Sequence, residues 1–414
     1  MSGPCRMHPV VVIGAGLAGA SVALELATLG IPVVILERDV APLNRASLRN
    51  EGKIHLGFIY ANDRTLETAR LQLHGALRFG PLLKRWLGDE AGGLATSKPF
   101  HYVVARNSIM RPDELDVHYG HVQRMYDDAV AQDVKLDYLG ARPVRLFKRV
   151  EPRSLANFLR IEGFEATYLT EELAIDTAEL ADKVRRALDT HPLIEVRTGH
   201  RVNTIDEVGT SFRLCGSNGA AAWQIRADQV INCAWEDRLR MDRQAGLEPP
   251  PGWLHRLKYR VIAALPADMH AHPSITMVLG AYGDVVVRRD GTAYFSWYPK
   301  GLQGWTHEVS VPDEWTGPCR GDLPAKRARL MADDILQAID RWYPGASRSV
   351  PLIVDAGAIV SYGRTDVDDP ASGLHDRTRV GVKSRGRYHS LDPGKLTTAP
   401  MLGAVAANRI AACA

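Results

Sequence analysis

The strongest constraint in this sequence is a glycine loop, Gly14-Ala15-Gly16-Leu17-Ala18-Gly19, set between a β-branched run and an apolar helical stretch. Residues 10–13 read as a buried parallel strand, because all four are apolar and three are valine. Residues 17–29 read as a helix with Leu17, Ala20, Leu24 and Ala27 on one face. Gly30 stands where a helix ends, and residues 33–36 form a second strand that delivers Glu37. This is a βαβ unit. In such a unit Gly14 permits the tight turn, Gly16 lets the backbone approach a pyrophosphate, and Gly19 lets helix and strand pack closely. The free N–H groups at the helix start, around Leu17 and Ala18, favour phosphate charge. Glu37 lies 18 residues after Gly19 and can accept both hydroxyls of an adenosine ribose. Its charge disfavours the 2′-phosphate of NADP. Arg38, next in the chain, is counted among the same contacts.

The rest of the composition narrows the class. At 414 residues, 45% of them hydrophobic, the chain is long enough for more than one domain. A net charge of +3 gives no argument for a nucleic-acid partner. The cysteines Cys5, Cys215, Cys233, Cys319 and Cys413 are scattered without a CxxC pair, which argues against a disulfide framework or a zinc site. They read as reduced thiols of a cytoplasmic protein. His101-Tyr102 and His270-x-His272 lack convergent carboxylates or cysteines, so no metal site is expected. No apolar run reaches the ~18 residues of a transmembrane helix.

Residues 257–305 are rich in Val, Tyr, Phe and Trp and read as antiparallel sheet, with Arg289-Asp290-Gly291-Thr292 as a hairpin turn. Residues 194–208 and 211–215 resemble strands of a hairpin-rich insert. Helices are expected over 65–87, 115–131, 177–188, 324–342 and 396–412. The expected fold is α/β: a discontinuous Rossmann-like dinucleotide-binding domain from residues 1–90, 170–235 and 350–414, plus an antiparallel-sheet (α+β) substrate domain from 91–169 and 236–349.

Three further segments separate FAD from NAD by resemblance. The first is Arg45-Ala46-Ser47-Leu48-Arg49-Asn50-Glu51-Gly52-Lys53-Ile54-His55-Leu56-Gly57. The second runs from Thr198 to Trp235, with Val202 in one strand and Asn232-Cys233-Ala234-Trp235 at the end of another. The third is Gly386-Arg387-Tyr388-His389-Ser390-Leu391-Asp392-Pro393-Gly394-Lys395-Leu396-Thr397-Thr398-Ala399-Pro400. Together they resemble the D-amino-acid oxidase-like family of FAD-dependent oxidoreductases, in places its L-2-hydroxyglutarate dehydrogenase and glycine oxidase branches. The resemblance implies that the first segment wraps the diphosphate, where Ser47 and Arg45 can donate. It implies that Val202 meets adenine and Ala234 lies near the pyrophosphate. It also implies that the third segment, with Gly386, Tyr388, Lys395, Leu396 and Thr397, faces the flavin. The sequence departs at Trp235, where the family carries glycine.

The expected reaction is oxidation of a C–N or C–OH bond of a small amine, amino acid or 2-hydroxy acid by hydride transfer to the flavin. His55 is the expected base and Lys53 a second catalytic group. Arg288 is the expected fork for a substrate carboxylate, with Arg260 and Arg289 as rivals and Arg364, Arg387 and His389 as further candidates. The electron acceptor is left open among oxygen, quinone and another flavoprotein. An NAD-dependent dehydrogenase and a dinucleotide-binding protein without redox activity are the competing readings.

Overall fold

The computed structural model describes residues 7–363, 369, 373 and 376–413. Arg364 and Cys5 lie outside the described residues; Cys215, Cys233, Cys319 and Cys413 are free thiols.

Two large sheets organise the chain. In the first, Met7–Ile13 lies between Val33–Leu36 and Ala221–Asn232, parallel to both. Tyr388–Asp392 adds in parallel on the far side of Ala221–Asn232, and Gly381–Arg385 closes that edge as an antiparallel strand. The helix Leu17–Thr28 and the last helix, Ala399–Ala411, pack against each other over this sheet. They approach so closely that a Cβ added at Gly403 would sit 2.6 Å from the Ser21 Cβ. The run expected as one strand over 194–208 divides instead. Ile194–Arg197 joins the parallel sheet beside Val33–Leu36, and Arg201–Val208 forms the hairpin with Ser211–Asn218.

The second sheet has nine strands. It is antiparallel except where Ser274–Val278 runs parallel to Phe100–Ala105. The hairpin expected around Asp290-Gly291 joins Gly283–Val287 to Thr292–Trp297. Val350–Tyr362, expected with the dinucleotide-binding part, pairs along Trp253–Ala264 in this second sheet. Period-two alternation then sorts the side chains of the sheet. Leu257, Tyr259, Val261, Ala263, Val285, Val287, Ala293 and Phe295 join one core with Ile335 and Ile339 of the helix Ala325–Asp340. Their neighbours Lys258, Arg260, Asp284 and Tyr294 therefore face the other way, toward the first sheet.

A two-stranded ladder, Lys53–Ile54 with Leu173–Ala174, lies between the sheets. No helix among the described residues is long and apolar enough to cross a membrane.

Candidate active site

A cleft with an empty volume of about 1580 Å³ runs from Glu37 and Val202, past the glycine loop, to Lys53, His55 and Lys395.

The loop explains the shape of one end. Gly14 holds φ 92°, a left-handed conformation that favours glycine, and its N–H donates to the Leu36 carbonyl at 2.8 Å. Gly16 opens the helix into the cleft, where an added Cβ would stand 3.2 Å from Ser47 Oγ. Ser47 Oγ accepts the first helical N–H, from Leu17, at 2.8 Å, which leaves its own hydrogen for an oxygen in the cleft. The Glu37 carboxylate accepts the N–H of Ala15 at 2.7 Å and of Asp39 at 2.8 Å. Burial pushes this carboxyl above its ordinary range, against the two N–H groups that favour its charge. Each oxygen keeps a lone pair for a ribose hydroxyl. Ala18, Val202 and Ala234 line the same end, and Gly19 packs beneath it against Gly14.

The arginines here are already engaged. Arg45, expected to donate to phosphate, forks onto Asp39 at 2.8 and 3.0 Å and reaches Glu236 at 3.1 Å. Arg38 also donates to Glu236. Asp39 is held down to about 2: burial pushes its carboxyl up, but Arg45 and Arg320 outweigh that. Trp235, where the family pattern has glycine, adopts the left-handed φ of 50° that glycine would favour. Its indole N–H donates to Ala358 at 2.8 Å and fixes the turn.

At the other end, the Lys53–Ile54 strand is held by Thr397, whose Oγ1 accepts the His55 N–H at 2.9 Å and donates to the Lys53 carbonyl at 3.3 Å. Thr397 thus acts on the backbone of this strand and is not among the cleft-lining residues. Lys53 Nζ donates to Asp284 at 2.6 Å and to Thr276, above the Phe100 ring at 4.3 Å. Its charge is therefore committed, and a substrate carboxylate would have to displace Asp284. The His55 ring lies between two acids, with Nδ1 3.3 Å from Glu172 and Nε2 3.7 Å from Glu51. Glu172 is wholly buried and accepts the Leu56 N–H at 2.7 Å and the Tyr102 hydroxyl. Burial raises the Glu172 carboxyl, but His55, Lys53 and Tyr102 together bring it below its ordinary value. Glu51 is likewise raised by burial and held well below its ordinary value by His55, Lys395 and Lys258.

Several expected residues stand elsewhere. Arg288 pairs with Asp176 at 3.6 Å, away from the cleft, because Val287 is the last residue of its strand and the chain is already turning. Arg289 is exposed in that turn. Arg260 faces the cleft, but Asp355 holds its guanidinium at 2.6 and 3.2 Å. Gly386 sits in the hairpin turn before Tyr388–Asp392 and does not reach the cleft. Tyr388 is fully buried, and its hydroxyl bonds Asp242 at 2.9 Å. His389 bonds Gln229 inside the fold, and Arg387 is exposed. The part of that segment that meets the cleft is shorter: Pro393, Gly394, Lys395, Leu396 and Ala399. Sequence reasoning gave no role to Glu51 and Lys258 and named Tyr294 and Tyr298 only as neighbours of the candidate arginines; all four line the cleft. Strand alternation would have placed Lys258 and Arg260 on one face, but not which face met the cofactor.

The family model for FAD dependent oxidoreductases (DAO) matches residues 9–409, and the chain belongs to that family. Its fold is similar to glycine oxidase from Geobacillus kaustophilus (TM-score 0.69, 13% identity, covering 98% of this chain and 95% of that one). It is similar to iminodiacetate oxidase from Chelativorans sp. BNC1 (TM-score 0.65, 19% identity, 97% and 95%). It is also similar to the FAD-bound L-α-glycerophosphate oxidase from Mycoplasma pneumoniae (TM-score 0.63, 15% identity, 98% and 94%). Among curated proteins it resembles the tRNA 5-methylaminomethyl-2-thiouridine biosynthesis bifunctional protein MnmC. The Burkholderia vietnamiensis protein is 25% identical over 289 residues, 67% of this chain and 40% of that protein. The Marinobacter nauticus protein is 41% identical over 83 residues, 20% of this chain and 12% of that one. The chain therefore spans less than half the length of these curated relatives. The protein is an FAD-dependent oxidoreductase, and the Gly16 approach, the Ser47 hydroxyl and the Glu37 carboxylate fit the cofactor's charged and hydroxylated parts.

Proposed function

We propose that this cleft oxidises the C–N bond of a small amine or amino acid. The observation that carries the reading is a pairing of opposite charges over one space. Glu51 with His55 faces the cleft beside Lys258 and Lys395, neither of which has an ion-pair partner among the described residues. A substrate with a cationic nitrogen and an anionic group matches that arrangement. FAD, when bound, supplies the oxidant that takes a hydride from the substrate carbon. His55 and Glu51 receive the proton of the nitrogen, Lys53 holds the His55 strand to the second sheet through Asp284, and Lys258 attracts the anionic group. Lys395 enters at the turn before the last helix and favours negative charge on the cofactor side. The similarity to a glycine oxidase and an iminodiacetate oxidase, and the methylaminomethyl in the name of MnmC, favour nitrogen. That of the glycerophosphate oxidase keeps an alcohol as the second reading.

We further propose a two-domain division. The FAD-binding part comprises residues 7–90, 171–235 and 381–413; the second sheet and its helices form the substrate part. We place the protein in the cytoplasm, with oxygen, quinone or another flavoprotein as acceptor. The test is product analysis with glycine, N-methylglycine, iminodiacetate and proline. Ammonia or a primary amine released together with glyoxylate or formaldehyde, or a pyrroline carboxylate formed from proline, supports C–N oxidation. Turnover of 2-hydroxy acids or glycerol phosphate alone overturns it.

A further inference from the structure

The Glu51–His55–Glu172 row runs from the cleft into the core. Glu51 is its exposed end, with 19% of its side chain accessible, while His55 has 5% and Glu172 none. Glu172 is anchored by the Leu56 N–H and the Tyr102 hydroxyl, so it cannot follow the imidazole if the ring moves. The His55 backbone, not its ring, is held by Thr397. Neither ring nitrogen makes a hydrogen bond, with Nδ1 3.3 Å from Glu172 and Nε2 3.7 Å from Glu51, and the shorter approach favours a hydrogen on Nδ1 toward Glu172 and a lone pair on Nε2 toward Glu51.

We propose that Glu51 is the catalytic residue that takes the substrate proton, and that His55, held by Glu172, is the positioning residue and the store to which the proton passes. This rests on the C–N reading above. The step balances as proton transfer alone. The ammonium nitrogen loses a proton to Glu51 Oε1, Glu51 passes it to His55 Nε2, and the resulting imidazolium lies between two carboxylates. No bond to carbon changes in this step, and the nitrogen keeps the lone pair that the later loss of hydride requires. The store is needed for a physical reason. Lys395 and Lys258 favour the ionised form of Glu51, and a carboxylate so held is a poor final acceptor. The other groups facing the row are Lys53 and Asp284 from either side of the Lys53–Thr276 contact, Tyr294 and Tyr298 across the cleft, and Tyr102 and Tyr138 around Glu172. Sequence reading made His55 the base; His55 lines the cleft too, but only 5% of its side chain is accessible against 19% for Glu51.

The test uses the FAD-loaded enzyme, with two readouts. The first is anaerobic flavin reduction by glycine, N-methylglycine and iminodiacetate between pH 6 and pH 10, in wild type and in Glu51→Gln, Glu51→Asp, His55→Gln and Glu172→Gln. We expect Glu51→Gln to lower the limiting rate by about 10²–10⁴-fold, the usual worth of a positioned base. The residual rate should climb with pH as free amine replaces ammonium, whereas the wild-type rate levels off earlier. Glu51→Asp should recover part of the rate and the wild-type profile. A merely structural role would lower the rate without moving the profile. The second readout is ¹⁵N-imidazole NMR of His55, assigned with His55→Gln, which needs no substrate. Nδ1 should carry the hydrogen in wild type and in Glu51→Gln, and lose that preference in Glu172→Gln. If none of the amines reduces the flavin, the C–N reading fails while the NMR result still decides the orientation of the row. An unchanged rate and profile in Glu51→Gln, or an unchanged tautomer in Glu172→Gln, overturns the proposal.

Discussion

Gly19→Val is expected to yield a chain that retains no FAD and has lost at least about 3 kcal/mol of stability. A Cβ at Gly19 would stand 1.9 Å from the Gly14 carbonyl oxygen and 3.2 Å from Val12 Cγ1. The first neighbour is backbone and cannot rotate aside. Relief would require the helix Leu17–Thr28 to leave the sheet, or Gly14 to give up its bond to Leu36. Overpacking of a core by a few methyl groups costs ~1–3 kcal/mol, occasionally more, and here the turn that shapes the cleft is the part that moves. Thermal unfolding and the flavin absorbance of the purified variant check this. A yellow Gly19→Val protein with the wild-type midpoint would contradict it.

Asp355→Leu is expected to be destabilising by about 3–5 kcal/mol, the usual cost of stripping a buried ion pair of one partner. Asp355 is fully buried and joins Arg49 at 2.6 Å to Arg260 at 2.6 and 3.2 Å. Two guanidinium groups would lose their carboxylate together. The effect should reach the cofactor as well, since Arg260 also holds the Asn50 carbonyl at 2.8 Å, next to Glu51. Weaker FAD retention should accompany the loss in denaturant midpoint. Adding Arg260→Leu should return part of the stability, because one of the two uncompensated charges is then removed. A double variant no more stable than Asp355→Leu would contradict this account of the cluster.

The cofactor end was legible because its requirements are local. Gly14, Gly16 and Gly19 meet needs set by a turn and a strand within thirteen residues, and Glu37 follows at the end of the next strand. The substrate end depends on partners far apart in the chain. Glu172 meets His55 only through the ladder of Lys53–Ile54 with Leu173–Ala174, and Lys53 meets Asp284 across 231 residues. Arg288 failed as a carboxylate fork for a local reason, because alternation holds only while a strand lasts and this strand ends at Val287. Gly386 and Tyr388 stand away from the cleft because the glycine-rich segment makes a hairpin before its approach, so its lining starts at Pro393. Arg45 was placed correctly, but its charge was misjudged, since Asp39 and Glu236 cannot be paired with it from sequence.

The most direct measurement is anaerobic bleaching of the bound flavin by pairs that share the reacting C–H and differ only in the heteroatom bearing the proton to be lost. Glycine against glycolate, and alanine against lactate, form such pairs. With Glu51 and His55 placed to take a proton from nitrogen beside Lys258, the amines should bleach the flavin and the hydroxy acids should leave it oxidised. Bleaching by glycolate or lactate, with glycine and alanine inert, would contradict C–N oxidation in this cleft.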